Sequence, residues 1–260
     1  MSSKIKLILK MRTLISWIKT MIKKVILLLL LSSMAWSSNI PKEASKTDPS
    51  LVLRHFHKFN SKVKSLITFS LKEGSSDKDL SLSLRYRLHS NFHIATNFKR
   101  SYGLRHDDDW VKENGVWKWK ETKTRGENIF GVHLNAKKIF QDNIFELRTT
   151  IERNNSNSNN TLILRPGVTH IFFKGGAPII NIYARYALYL PMNFSEETIY
   201  KQSLYAGVTY HYNSFFKPGL FFKRTSTKWT NSKNAKELQV PSYSVAESTN
   251  SIGLALNFYY

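Results

Sequence analysis

The sequence predicts an all-β protein, a closed antiparallel transmembrane β-barrel of about ten strands with up-and-down topology. Three observations predict this fold. Apolar residues recur at every second position after residue 60, the connections between these runs alternate between long and short, and the last nine residues form a strand that ends on an aromatic ring. A barrel in a membrane produces this pattern because lipid-facing and lumen-facing side chains alternate along each strand.

Period two is clearest from Leu80 to His89, where four leucines and a tyrosine alternate with serine, arginine and histidine. One face of this strand is apolar and the other carries charge, as expected for a strand between lipid and a polar interior. The segments with this period are 63–72, 80–89, 92–99, 130–136, 145–152, 162–169, 180–190, 203–212, 216–227 and 252–260. An even count is usual for a single-chain bacterial barrel.

The connections alternate in length along the chain. The longer ones are 73–79, 103–126, 154–160, 191–198 and 228–247, and the short ones are 89–91, 137–142, 174–177 and 213–215. Barrels of this kind have short periplasmic turns and longer outer loops. We therefore expect every long connection on the outside, with both ends of the barrel chain in the periplasm.

The closing strand has a distinctive outward face. That face consists of Ile252, Leu254, Leu256, Phe258 and the terminal Tyr260, with smaller or more polar residues between them. This pattern resembles the closing strand of Gram-negative outer-membrane β-barrels, in which the final aromatic residue is part of the signal read by the insertion machinery. The resemblance implies a bacterial outer-membrane location with a periplasmic C-terminus. It also implies three partners: outer-membrane lipid, lipopolysaccharide and the insertion machinery.

The N-terminal region has the order of a secretory signal. Lys23 and Lys24 precede the apolar run 25–31, and small residues follow it up to residue 37. The run is too short to cross a bilayer as a helix. We predict a signal peptide over 1–37, with translation starting at Met1, Met11 or Met21. The alternative is an amphipathic helix that lies on the membrane surface and is retained.

The rest of the chain is predicted to form a periplasmic N-terminal segment over 38–62 and the barrel over 63–260. The sequence contains no cysteine, which excludes disulfides, thiolate metal sites and lipid attachment at an N-terminal cysteine. Its net charge is +21, of which seven units lie in residues 1–37, so the mature chain keeps +14. Because the basic residues are spread along strands and loops, we predict anionic lipids and solutes as partners, and no nucleic acid.

Alternation places a group of ionisable side chains inside the barrel. These lumen-lining candidates are Arg85, Arg87, His89, His93, His133, Glu146, Arg148, Glu152, Arg185 and His211. Charges enclosed in a narrow barrel must be paired or hydrated. Two interpretations stay open: a polar plug of salt bridges and water, or a narrow pore that favours anions.

The longest connection, 103–126, holds weak catalytic candidates. His106, Asp107 and Asp109 precede an Asn114-Gly115 pair, which is a hairpin signal, so the loop is expected to extend the wall as a two-stranded flap. This loop faintly resembles the rim of the ten-stranded omptin proteases. That family also needs an Asp-x-His pair, whereas His211 is preceded by Thr209 and Tyr210. Half of the site is therefore missing.

The functional prediction is a non-enzymatic outer-membrane barrel with a structural, surface-binding or narrow-pore role. An outer-membrane enzyme that acts on lipid or peptide at the 103–126 rim is the alternative. A third possibility is a soluble, secreted β-sandwich. His55 and His57 would share a face if extended, but no further ligand is close in sequence, so no metal and no cofactor are predicted.

Overall fold

The computed structural model describes residues 46–72, 78–156, 159–193, 197–231, 237–239 and 244–260. In the β-hairpin around residue 115, the backbone is described throughout, but the side chains of 103–113 and 117–125 are not. The predicted signal peptide, 1–37, and residues 38–45 lie outside the described residues. All strands belong to the compact unit Pro41–Tyr260. Within the described residues, no helix has both the length and the apolar character needed to cross a bilayer.

Eleven strands form the described structure. They are β1 (Lys46–Lys58), β2 (Val63–Lys72), β3 (Lys78–His89), β4 (Phe92–Glu113), β5 (Val116–Phe140), β6 (Asn143–Asn154), β7 (Asn159–Lys174), β8 (Ala177–Asn193), β9 (Glu197–Tyr210), β10 (Phe216–Asn231) and β11 (Ser244–Tyr259). Each strand from β2 to β11 pairs antiparallel with its neighbours in the chain. The sheet closes through β1, which lies between β2 and β11.

The prediction of a closed all-β barrel with about ten strands is confirmed, and a soluble two-sheet sandwich is wrong. Fully antiparallel pairing is also wrong. Strand β1 is antiparallel to β2 but parallel to β11, with Leu51 opposite Leu254 and Phe56 opposite Tyr259. An odd number of up-and-down strands forces this result, because the first and last strands then run in the same direction.

Residues 46–58 are the main correction to the predicted domain boundaries. They were expected in a periplasmic segment that precedes the barrel, but they form β1. Their alternation includes the outward pair Leu51 and Leu53 and the buried inward Val52. Because β1 completes the ring, the barrel starts at Lys46 and not at residue 63.

The two ends of the barrel differ in their connections. Tight turns and the C-terminus lie at one end, where the Lys58 backbone N–H donates to the Tyr260 carbonyl at 2.9 Å. The longer connections lie at the other end, and β1 begins there, with Lys46 opposite Thr249. The expectation that the barrel chain enters and leaves at the same end is therefore wrong.

The longest connection is a hairpin that continues the wall. Strands β4 and β5 pair up to Glu113 and Val116, and the turn between them is Asn114-Gly115. Both turn residues have positive φ, 51° and 82°, which are the values that a two-residue hairpin turn requires. The predicted two-stranded flap is confirmed by its backbone.

The barrel carries its apolar residues on the outside. Leu220 is 64% exposed and Ile252 is 57% exposed, and large apolar side chains on the outward faces of β2 to β11 are exposed in the same way. The fully buried apolar residues are mostly small and lie inside: Val52, Ala95, Ile163, Ala187 and Ala255. A water-soluble domain has the opposite distribution.

The parallel pairing of β1 with β11 can be tested by disulfide formation in this cysteine-free sequence. The outward pair Leu51→Cys/Leu254→Cys joins directly opposed residues, so we expect efficient cross-linking on oxidation and a shift in gel migration. Leu71→Cys/Leu254→Cys is the control, because Leu71 lies one strand further away, ~10 Å across the sheet. Cross-linking of the control pair alone would mean that β2 pairs directly with β11 and that β1 is not in the wall.

Candidate functional site in the barrel interior

A salt bridge in the interior joins two strands, β6 and β8, across the strand between them. Glu146 on β6 and Arg185 on β8 both lie opposite Gly167 on β7. A Cβ at Gly167 would lie 2.8 Å from Arg185 Cγ and 3.2 Å from Glu146 Cγ, so a side chain there would separate the pair. Without one, Arg185 Nε donates to Glu146 Oε1 at 2.6 Å.

Glu146 is a single carboxylate surrounded by several cationic side chains. Its side chain is only 9% exposed, and its second oxygen, Oε2, lies 3.9 Å from Lys137 Nζ. Arg148 and Arg85 also act on it electrostatically. One carboxylate therefore faces four cations, and the local charge is positive.

Two arginines face each other directly beside this group. Arg148 on β6 is the register partner of Arg165 on β7, and alternation directs both inward. Like charges placed directly opposite on neighbouring strands repel. The Nε atoms of both guanidiniums are buried without a hydrogen-bond partner, so they are free to donate to an anion that enters the interior.

Tyrosines hold the cations on the β8–β10 side. Arg165 Cζ lies 5.4 Å and Lys223 Nζ 5.3 Å from the centre of the Tyr205 ring, and Lys201 Nζ lies 5.2 Å from that of Tyr189. The two tyrosine hydroxyl oxygens are 3.3 Å apart. Cation–π attraction helps to hold these positive charges on the tyrosine rings.

The predicted lumen residues mostly lie where alternation put them. Burial and contacts are consistent with inward positions for Arg85, His93, His133, Glu146, Arg148, Glu152 and Arg185. Arg87 is exposed at the short-turn mouth, close enough to act on His93 and Lys64. His211 follows β9 at the same mouth, and its pKa is lowered by partial burial and by the nearby charge of Lys217.

His89 is the exception. The register shifts between Arg87 and His89, which pairs His89 with Phe92. Their ring centroids are 6.5 Å apart, and Phe92 is exposed on the outer face. The bulge therefore turns His89 out of the lumen.

Sequence reasoning missed several interior residues. Arg54 on β1 donates from Nη1 to Asn257 Oδ1 at 3.3 Å across the parallel pair, and it was missed because this segment was assigned to a leader. Arg165 and the tyrosines were on inward faces of predicted strands. Their alternation was the available signal, but only the register shows which cation meets which ring.

The structure does not bring the candidate catalytic and metal-binding residues together into a site. His106, Asp107 and Asp109 lie on the backbone of β4, but their side chains are outside the described part of the structure. His55 and His57 lie outward on β1, with ring centroids 6.5 Å apart. Among the described residues, no group of three or more His, Cys, Asp or Glu could hold a metal ion.

No family model matches this chain, and no curated protein matches it. Among solved structures, the chain is similar to OmpT, an outer membrane protein of Vibrio cholerae that was folded in vitro. The identity is 10%, the TM-score is 0.29, and the match covers 74% of this chain and 59% of OmpT. The chain thus spans less than two thirds of that structure. A similarity at this TM-score carries no information about function.

The contacts of Glu146 predict that this residue contributes to stability. Glu146→Gln should lower the free energy of unfolding by about 2 kcal/mol, because it removes a charge-assisted hydrogen bond and leaves the surrounding cations uncompensated. Urea unfolding of the detergent-solubilised protein measures the change. Asp142→Asn is the control, since it makes the same change in charge at an exposed turn. Equal effects of the two substitutions would contradict a special role for Glu146.

Proposed function

We propose that this chain is a Gram-negative outer-membrane β-barrel whose narrow, cationic interior passes small anions. The observation that carries the proposal is the contrast between the two faces of the same strands. The outer face is mainly apolar from β2 to β11, whereas arginines and lysines outnumber the carboxylates around Glu146 inside.

The outer face supports a location in lipid. Contiguous apolar surface of this extent is unfavourable in water, and a bilayer would cover it. The closed ring also leaves no unpaired strand edge, which a wall in contact with lipid requires. We propose a periplasmic C-terminus, an export signal over 1–37, and recognition by the insertion machinery of the face that ends at Tyr260.

An aromatic group at the short-turn end supports the same placement. The Tyr260 ring lies 4.4 Å from that of Phe215 and 4.7 Å from that of His55, and Phe216 stacks on Phe258 at 5.1 Å. Aromatic side chains are enriched at membrane–water interfaces, where they form girdles around barrels. This group would lie at the periplasmic interface.

The interior supports a narrow conduit more than a wide channel. Wide aqueous channels occur in barrels of 16 or more strands, and this barrel has eleven. Large side chains from neighbouring strands occupy the space above the inward glycines. For example, a Cβ at Gly207 would lie 2.5 Å from the Tyr183 hydroxyl oxygen. Arg148 and Arg165 then form a positive constriction, because their charges face each other and the cations around them outnumber the carboxylates, Glu146 and Glu152, that act on them.

The membrane location has a direct test. We expect the protein to stay in the membrane fraction after carbonate or urea washes, to need detergent for extraction, and to migrate differently on gels before and after heating, because a closed barrel resists detergent until it is heated. Release into buffer without detergent would contradict the proposal.

Anion passage is tested in planar bilayers with a potassium chloride gradient. We expect discrete conductance steps and a reversal potential that reports anion preference. Arg148→Gln/Arg165→Gln should reduce the anion-to-cation permeability ratio about fivefold, the factor that ~1 kcal/mol of lost attraction produces.

Arg224→Gln/Lys228→Gln is the matched control for this measurement. It also removes two positive charges, but from the outward face of β10. The control should leave the reversal potential unchanged. Absence of conductance steps, cation preference, or an equal shift in the control would refute a conducting role.

A further inference from the structure

One row of inward side chains crosses three neighbouring strands of the barrel. Asn135 on β5 is the register partner of Arg148 on β6, which is in turn the register partner of Arg165 on β7. The Cα atoms of such partners lie about 5 Å apart. Because alternation directs all three side chains inward, they border a common part of the lumen. Asn135 is buried, whereas the two arginines are half-buried and can be reached by an anion inside the barrel.

Each member of this row has a buried polar atom without a hydrogen-bond partner among the described residues. These atoms are two donors, Arg148 Nε and Arg165 Nε, and one acceptor, Asn135 Oδ1. Most buried polar groups in proteins do have a partner. Three such atoms on adjacent strands therefore indicate a ligand that both accepts and donates hydrogen bonds.

Arg185 shows how a guanidinium in this interior binds an oxyanion. Its Nε donates to Glu146 Oε1 at 2.6 Å. The Nε–H and a neighbouring Nη–H lie parallel on one edge of the guanidinium plane, and this edge matches two oxygens of a carboxylate or phosphate. Arg148 and Arg165 have the same edge with an unused Nε. An anion with several oxygens can contact both edges, whereas chloride offers no separate oxygens to pair with them.

The charge around the row favours an anion with more than one negative charge. The charges of Arg85 and Arg185 act on Arg148 in addition to the charge of its partner on β7. The carboxylates that act on the pair are Glu146 and Glu152. Four guanidiniums and two carboxylates leave a surplus of two positive charges at this level of the lumen.

We infer that the interior holds a binding site for hydrogen phosphate between Arg148, Arg165 and Asn135. The inference rests on the proposed passage of anions and names the substrate that this site takes. Hydrogen phosphate carries more than one negative charge at neutral pH, and its oxygens accept from both Nε atoms. It also keeps a P–OH group, which donates to Asn135 Oδ1.

The acceptor on Asn135 distinguishes between oxyanions of similar shape. Sulfate is also tetrahedral and doubly charged, but it has no hydrogen to donate at neutral pH. Its binding would leave Asn135 Oδ1 buried without a partner and close to a negative oxygen. A site with a buried polar group rejects an analogue that leaves this group unpaired. The site therefore prefers phosphate to sulfate.

Equilibrium dialysis of the full chain in detergent tests the site directly. The probes are radiolabelled inorganic phosphate and sulfate at neutral pH. We expect one phosphate to bind per barrel and sulfate to bind at least about tenfold more weakly, because one hydrogen bond to a buried polar group is lost. The reversal potential of the same protein in planar bilayers reports the proposed passage of anions separately.

Two variants remove different parts of the site. Arg148→Lys/Arg165→Lys keeps both positive charges but removes the parallel donors, so phosphate binding should weaken at least about tenfold. Asn135→Leu has a similar shape and removes the acceptor. It should weaken phosphate binding about tenfold and thereby abolish the preference over sulfate. Heat-modifiable gel migration of each variant shows that it is folded.

Asn181→Leu is the matched control. Asn181 on β8 also has a buried Oδ1 without a partner among the described residues, but its register partners are Ile171 and Thr209 and not arginines. The control should leave the binding of both anions unchanged.

Equal binding of phosphate and sulfate by the wild-type protein would overturn the inference, whether or not the variants fold. Full phosphate binding by the double lysine variant, or an equal loss in Asn181→Leu, would do the same. In each case a reversal potential that shows anion preference leaves the proposed function standing. A barrel that binds phosphate selectively but gives no conductance steps would support the site and refute the conducting role.

Discussion

Closure of the sheet is the constraint on which the rest of the structure depends. A strand in lipid has no water to satisfy its backbone, so each strand needs a partner on both sides. Strand β1 supplies the last partner for β2 and β11. Because the number of strands is odd, β1 must run parallel to β11, and the chain enters the barrel at the end opposite to its exit. The Arg54–Asn257 hydrogen bond joins the inward faces across this pair.

Closure also concentrates charge. A ring of eleven strands is too narrow to keep its inward side chains apart, and most of the ionisable ones near the centre are cations. Two kinds of contact offset the repulsion between these cations. Glu146 neutralises part of the positive charge, and the faces of the Tyr189 and Tyr205 rings hold other cations. Arg148 and Arg165 still face each other with buried Nε atoms that lack a hydrogen-bond partner among the described residues, and this arrangement is the basis of the proposed passage of anions.

Period two was enough to predict most of the strands and the face that most of their residues occupy, and the Asn114-Gly115 pair predicted the hairpin turn, because each depends on local sequence. It failed for β1, whose outward face changes from leucine to His55 and His57 and whose start contains Pro49. It also failed for the far halves of β4 and β5, which are charged on both faces, so the alternation disappears while the backbone pairing continues. Contacts such as Glu146–Arg185 depend on the register of three strands, which a single sequence does not encode locally.

Strand β6 carries charged side chains on both of its faces within a few residues. Glu146 and Arg148 face the interior, whereas Ile151 and Arg153 face the outer wall. A slip of one residue in register would exchange the two faces, expose the salt bridge to lipid and bury Arg153 among cations. The Gly167 position resists such a slip, because only there can Glu146 and Arg185 meet. The interior salt bridge therefore helps to keep Glu146 and Arg148 on the inward face of β6 and Ile151 and Arg153 on its outward face.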